Sequence, residues 1–156
     1  MKLKIKKLHP QAKLPTYATE GSACFDLYAA TVDGKSHIPS ELHQGYPVTC
    51  GTGLSFEIPA GHAMLIFSRS GHGFKHGARL ANCVGVIDSD YRGEVAVKLA
   101  CDQDEVPIEW RPLLVRPGDR IAQAMIIPVP EIGLELVDEL SDTARGDRGF
   151  GSTGAA

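Results

Sequence analysis

The stretch NCVGVIDSDYRGEVA, residues 82–96, decides how the rest of the chain is read. Val84, Val86 and Ile87 place β-branched bulk on one arm, Ser89 and Asp90 supply turn chemistry, and Val95 and Val97 resume an alternating strand after Gly93. The pattern predicts a β-hairpin, two short strands joined by a turn. Asp88 stands just before that turn, where a carboxylate can activate a water. Tyr91 follows three residues later with a flat face suited to a sugar or a base. Taken alone, the segment equally describes a surface hairpin whose Asp and Tyr only shape its turn.

Outward from this segment the same pattern recurs. Seventeen Gly and ten Pro punctuate short apolar runs, which predict strands at residues 2–8, 25–29, 48–58, 63–67, 85–87, 94–100, 112–115, 122–128 and 135–137. Pro59-Ala60-Gly61 and Pro117-Gly118 mark turns. A turn or two near 71–77 is the one plausible helix, though Gly71, Gly73 and Gly77 disfavour it. Many short strands with Gly/Pro punctuation describe an all-β sandwich, jelly roll or barrel. The length of 156 residues fits one domain around one core. Residues 1–140 form its body, and 141–156, polar and rich in Gly, should stay mobile until something orders them.

Charge and cysteine usage exclude several classes. A net charge of −3 and a pI near 6.0 argue against a nucleic-acid binder. No apolar run reaches the roughly 20 residues a membrane span needs. Lys2, Lys4, Lys6 and Lys7 alternate with Leu3 and Ile5 as on an edge strand, and no signal core follows, so a cytoplasmic protein is expected. Cys24, Cys50, Cys83 and Cys101 form no C-x-x-C pair, which points to reduced thiols and away from a tetrahedral zinc site. His72 and His76 stand four apart, but the glycines around them weigh against a metal pair on a helical face. His9, His37, His43 and His62 read as loop or surface histidines.

Two further stretches concentrate the residue types that bind anions: FSRSGHGFKHG at 67–77 and RGDRGFGSTG at 145–154. Glycine lets successive N–H groups converge, Ser and Thr add donors, and Arg offers a planar fork matched to phosphate. Neither is a P-loop or a GxGxxG fingerprint. Two such loops together with an Asp/Tyr segment point to a phosphorylated ligand that carries a base.

Five separated segments in fixed order carry a resemblance. GSACFDLYAA from Gly21, SRSG from Ser68, NCVGVIDSDYRGEV from Asn82, GDRIAQAMI from Gly118 and RGDRGFGSTG from Arg145, with LPTYAT from Leu14, resemble the trimeric dUTPases over residues 14–154. The resemblance implies a distorted jelly roll, a homotrimer with shared sites, and hydrolysis of dUTP to dUMP and pyrophosphate with Mg2+. The reaction lowers dUTP and supplies dUMP for thymidylate synthesis.

Residue by residue, the resemblance makes Asp88 the carboxylate that activates the water attacking the α-phosphorus, and Tyr91 the ring under the deoxyribose. Uracil would be read by the backbone around Val86, Ile87 and Ala96, with the Asn82 amide as a further partner. Cytosine would leave such fixed groups unpaired. The triphosphate would lie across Arg69, Ser70 and Gly71, with Gln123 near the α-phosphate or the attacking water. Asp26 would reach the metal through water, since Mg2+ keeps several waters. In the tail, Phe150 would close over uracil, with Arg145, Gly151, Ser152 and Thr153 clasping the γ-phosphate.

The chain departs from the family pattern in places. Arg148 stands where glycine is usual, which removes easy access to φ > 0 and puts tail closure in question. Ser68 replaces a proline, Cys24 replaces a glycine, and residues 33–50 form a longer segment than expected. Two other readings stay open: a dCTP deaminase on the same fold, and a nucleotide sensor without turnover.

Overall fold

The computed structural model describes residues 1–43, 45–101 and 113–149, and it is built almost wholly of antiparallel strands. In chain order these are β1 (Lys4–Lys7), β2 (Thr16–Tyr17), β3 (Phe25–Tyr28), β4 (Thr31–Val32), β5 (Ser40–Leu42), β6 (Val48–Gly51), β7 (Leu54–Glu57) and β8 (His62–Phe67). One short helix, α1 (Ser70–His76), precedes β9 (Ala78–Leu80), β10 (Val84–Ile87), β11 (Ala96–Cys101), β12 (Leu113–Val115) and β13 (Arg120–Pro128). A five-stranded sheet runs β10-β8-β13-β3-β2, and a four-stranded sheet runs β4-β6-β11-β9. Two small ribbons, β1-β7 and β12-β5, complete the pairing.

Period-two burial explains the sandwich. Along β11, Val97, Leu99 and Cys101 are buried while Ala96 and Lys98 face out, the alternation that a half-buried strand requires. Leu27, Val32, Leu54, Met64, Ile121, Ala122 and Ala124 are fully buried between the layers. Their burial joins all the sheets into one apolar core.

The expected hairpin at 82–96 does not form. β10 is the edge strand of the five-stranded sheet and pairs with β8, whereas β11 pairs with β6 and β9 in the other sheet. The two arms carry the strand propensity that the sequence announces, but the turn delivers them to different layers. The expected strand 48–58 is likewise two strands. Thr52 and Gly53 turn a corner between them, with Gly53 at φ +65, and β7 leaves to pair with β1. Residues 135–137 form no strand: β13 ends at Pro128, Val129 N–H makes a last bond to Gly61 O at 2.8 Å, and the chain is exposed from there to Gly149.

The helix also corrects the expectation drawn from its glycines. Gly77 adopts φ 58 as a left-handed C-cap and donates to Gly73 O and His72 O, and Lys75 and His76 lie in the last turn, where the helix dipole favours cations. Short strands at Thr16–Tyr17, Thr31–Val32, Ser40–Leu42 and Ala78–Leu80 were not expected, because two or three residues carry too little periodicity.

Candidate active site

The separation of β10 from β11 creates a cleft. It has a volume of about 430 Å³ and is lined by Ile66, Leu80, Ala81, Asn82, Gly85, Val86, Ile87, Ala96, Val97 and Lys98. Among the described residues β10 has a strand neighbour on one side only, and Ala96–Val97 of β11 pair with Gly51–Cys50 of β6 on one side. Each wall therefore offers backbone edge groups to whatever enters, and such groups need partners once water is displaced. Four expected base-reading residues, Asn82, Val86, Ile87 and Ala96, line this one space. Asn82 sits on a tight turn in which Cys83 N–H bonds Leu80 O at 3.1 Å and Cys83 takes φ 63, a left-handed conformation unusual for a residue with a side chain.

A second group assembles where β8 runs into α1. Strand register places Gln123 opposite Phe67 on one side and Asp26 on the other. Gln123 Nε2 donates to Ser68 O at 3.2 Å. Arg69 Nε donates to Asp26 Oδ1 at 3.3 Å, and Arg120 Nη1 donates to Asp26 Oδ2 at 3.2 Å. Asp26 is only 8% exposed, and a carboxylate so placed needs such partners. Arg120 was missed by residue-level reasoning, although it stands within the quoted GDRIAQAMI stretch. Ser68, Arg69, Ser70, Gly73, Phe74, Ala78, Arg79 and Gln123 line an open cleft of about 440 Å³ over this cluster, with Gly71 in the first turn of α1.

His72 completes the grip on Arg69, its Nε2 lying 3.3 Å from Arg69 Nη1. Burial, reinforced by the nearby Arg69 charge, pushes the His72 pKa down to about 4, so the ring is neutral near pH 7. A guanidinium only donates, so Nε2 is the acceptor and the proton sits on Nδ1, which is buried without a partner among the described residues. No cysteine lines either cleft. Burial pushes Cys50 up to about 12, and all four thiols are free.

Asp88 and Tyr91 lie on the exposed loop that leaves β10, with Tyr91 N–H bonded to Asp88 O at 3.2 Å. Tyr91 Oη donates to Glu94 O at 3.0 Å. Val84 pairs with Phe67 and Ile87 with Met64, so Asp88 departs at one end of the β8–β10 pair and Arg69 at the other. At about 3.3 Å per residue, the two are on the order of 15–20 Å apart within one chain. One chain thus gathers the residues expected to read the base in one place and Asp26, Arg69, Ser70 and Gln123 in another. Arg145 is in neither: its Nε bonds Arg148 O at 2.9 Å, and Arg148 Nε returns a bond to Arg145 O at 3.0 Å. Arg148 has no positive φ in this turn. Phe150, Gly151, Ser152 and Thr153 lie outside the described residues.

Among the described residues no group of three His, Cys, Asp or Glu could hold a metal ion, and no helix is long and apolar enough to cross a membrane.

The model of the dUTPase family matches residues 10–154. The chain is 45% identical to the deoxyuridine 5'-triphosphate nucleotidohydrolase of Nautilia profundicola, over 99% of both proteins. Its fold is similar to that of the Staphylococcus bacteriophage 80alpha dUTPase solved with dUPNHPP, with a TM-score of 0.77 and 26% identity over 98% of each chain. It is also similar to a single-substitution mutant of the dUTPase from Staphylococcus aureus phage phi11, in which a structural Mg(II) ion is coordinated (TM-score 0.72, 22% identity, 91% of this chain and 100% of that one). With five motifs in order, two sheets parted around a cleft and a family match along nearly the whole chain, this protein belongs to the dUTPase family.

Proposed function

We propose that the protein hydrolyses dUTP to dUMP and pyrophosphate, with water attacking the α-phosphorus, in sites completed by other copies of the chain. The observation that carries this reading is the cleft between β10 and β11. Its walls combine backbone edges with Asn82, Val86, Ile87 and Ala96, a fixed donor and acceptor pattern that suits uracil and leaves cytosine unpaired. Asp88 polarises the attacking water and Tyr91 stacks on the deoxyribose. Arg69, Ser70 and Gly71 receive the phosphates and Gln123 orients the water or the α-phosphate.

The distance between Asp88 and Arg69 supports a homotrimer with shared sites, in which one protomer's hairpin-like loop meets another's phosphate grip. A second observation agrees. Ile132, Leu134, Leu136 and Leu140 are 71%, 92%, 100% and 88% exposed, and covering each such side chain is worth about 1.5–3 kcal/mol. Residues 141–156 act as an arm that closes on the nucleotide, with Arg145, Gly151, Ser152 and Thr153 on the γ-phosphate and Phe150 over uracil.

Mg2+ fits this site in one way. Both Asp26 oxygens are taken by arginines, so the ion would ride on triphosphate oxygens and water, with Asp26 touching only its water shell. Bound there it would supply charge neutralisation at the phosphates. We place the enzyme in the cytoplasm, where its free thiols stay reduced.

The test is pyrophosphate release with Mg2+ from dUTP, UTP, dCTP and dTTP in parallel. Turnover of dUTP alone is expected. Ammonia release from dCTP, or dUTP binding without turnover, would overturn the reading in favour of a deaminase or a sensor.

A further inference from the structure

The loop carrying Asp88 and Tyr91 belongs to neither sheet, yet it is tied down by the corner between β6 and β7, whose residues line neither cleft. Thr52 N–H and Thr52 Oγ1 both donate to Val95 O, at 3.1 and 2.6 Å. Val95 N–H donates to Leu54 O at 2.9 Å, and Ser55 Oγ donates to Arg92 O at 2.7 Å. Gly53 N–H donates to Glu94 Oε1 at 2.7 Å. Thr52 and Ser55 are 0% and 5% exposed and, with Asp26, are the buried polar residues of the described chain. Buried hydroxyls persist where they are bonded, and both of these bond the loop.

Glu94 has a prepared seat. A Cβ placed on Gly51 would lie 2.6 Å from Glu94 Oε1 and 2.7 Å from Thr31 Oγ1, so the carboxylate and the Thr31 hydroxyl together occupy the space that a side chain at 51 would fill. The next link is Tyr91. A Cβ on Gly93 would lie 2.3 Å from Tyr91 Oη and 2.5 Å from Cζ, so the ring rests against the Gly93 backbone, and its hydroxyl is held by Glu94 O. The orientation of the ring is therefore set by the Gly93-Glu94 backbone, which the Glu94 carboxylate fastens to Gly53.

We infer that Glu94 is a positioning residue for sugar discrimination: seated over Gly51 and bonded to Gly53 N–H, it aims Tyr91, so that rejection of a 2′-hydroxyl depends on a corner of the fold that lines neither cleft. The inference rests on the reading above, that Tyr91 stacks on the sugar.

The experiment measures kcat and KM for dUTP and UTP in the wild-type protein, Glu94→Ala, Glu94→Gln, Gly51→Ala and Tyr91→Ala. Glu94→Ala should lower the dUTP/UTP ratio of kcat/KM by about tenfold. Glu94→Gln, which keeps an oxygen within reach of Gly53 N–H, should restore most of it. Gly51→Ala crowds the carboxylate without removing it and should reproduce the loss, and Thr31→Ala, which removes the other group that a Cβ at 51 would meet, should leave the ratio within about twofold of wild type. Collapse of the ratio in Tyr91→Ala, with Glu94→Ala and Gly51→Ala both within about twofold of wild type, would sink the role of Glu94 and leave that of Tyr91 standing. An unchanged ratio in Tyr91→Ala would overturn both.

Discussion

The proposed base cleft and the proposed phosphate grip are built from opposite materials. The cleft between β10 and β11 is walled by backbone edges and by small or apolar side chains such as Gly85, Val86 and Ala96. The grip is built from side chains: Arg69 and Arg120 on one buried carboxylate, His72 on Arg69, and Gln123 on Ser68 O. Recognition that resides in the backbone tolerates side-chain exchange, because a substitution leaves N–H and C=O in place. Recognition that resides in charged side chains weakens when a member is removed, since the buried Asp26 carboxylate is left with one partner fewer.

Four substitutions probe this contrast, in falling order of effect. Asp88→Asn should lower kcat by about 10²–10⁴-fold while dUTP binding, followed by calorimetry, is kept. Near-normal turnover would remove Asp88 from the chemistry. Arg69→Ala should raise the dUTP KM and also destabilise the fold by about 1–3 kcal/mol, read as a lower Tm, because Asp26 keeps only Arg120. An unchanged Tm would show that the Asp26 cluster contributes nothing to the fold.

A third probe uses pH. The His72 pKa is lowered to about 4 in the folded chain from an ordinary value of 6.5. Between these values the unfolded chain binds the extra proton, so the contribution of His72 is whole above pH 6.5 and is lost as pH falls toward 4. His72→Gln should flatten the Tm-against-pH curve in that window relative to wild type; parallel curves would refute the assignment of a neutral, buried ring. The smallest effect belongs to Val86→Ala. Val86 is 60% exposed, and kcat/KM for dUTP should stay within about threefold of wild type. A larger loss would mean that the side chain, and not the strand edge, reads the base.

The sequence carried the strands with clear alternation and the chemistry of the site residues, because both are written locally. Strand 96–101 was legible from Val97 and Leu99, and Arg69-Ser70-Gly71 from its anion-binding types. The partner of each strand was not legible. Strand propensity at 84–87 and 96–101 is the same whether the arms pair with each other or with β8 and β6, and only the packing of the whole core decides between these. The same holds for Thr52: a polar residue inside an apolar run signals neither a corner nor a bond to Val95 O forty-three positions away. Arg120 was hidden for a related reason, as its carboxylate partner lies ninety-four positions distant. The helix was undervalued because propensity counts Gly71 and Gly73 against it and gives no credit to the left-handed cap at Gly77.

The parting of β10 from β11 has a mechanical consequence. On the proposed reading, a base seated between them would bond to one layer of the sandwich on each side and so become a rung joining the two sheets, where the described residues pair β10 and β11 only with other strands. Occupancy would stiffen the seam itself: amides of 84–87 and 96–98 should exchange with solvent more slowly when nucleotide is bound, and melting should shift upward with ligand concentration as RT ln(1 + [L]/Kd). In this architecture the proposed substrate would be, for the time it is held, part of the protein's secondary structure.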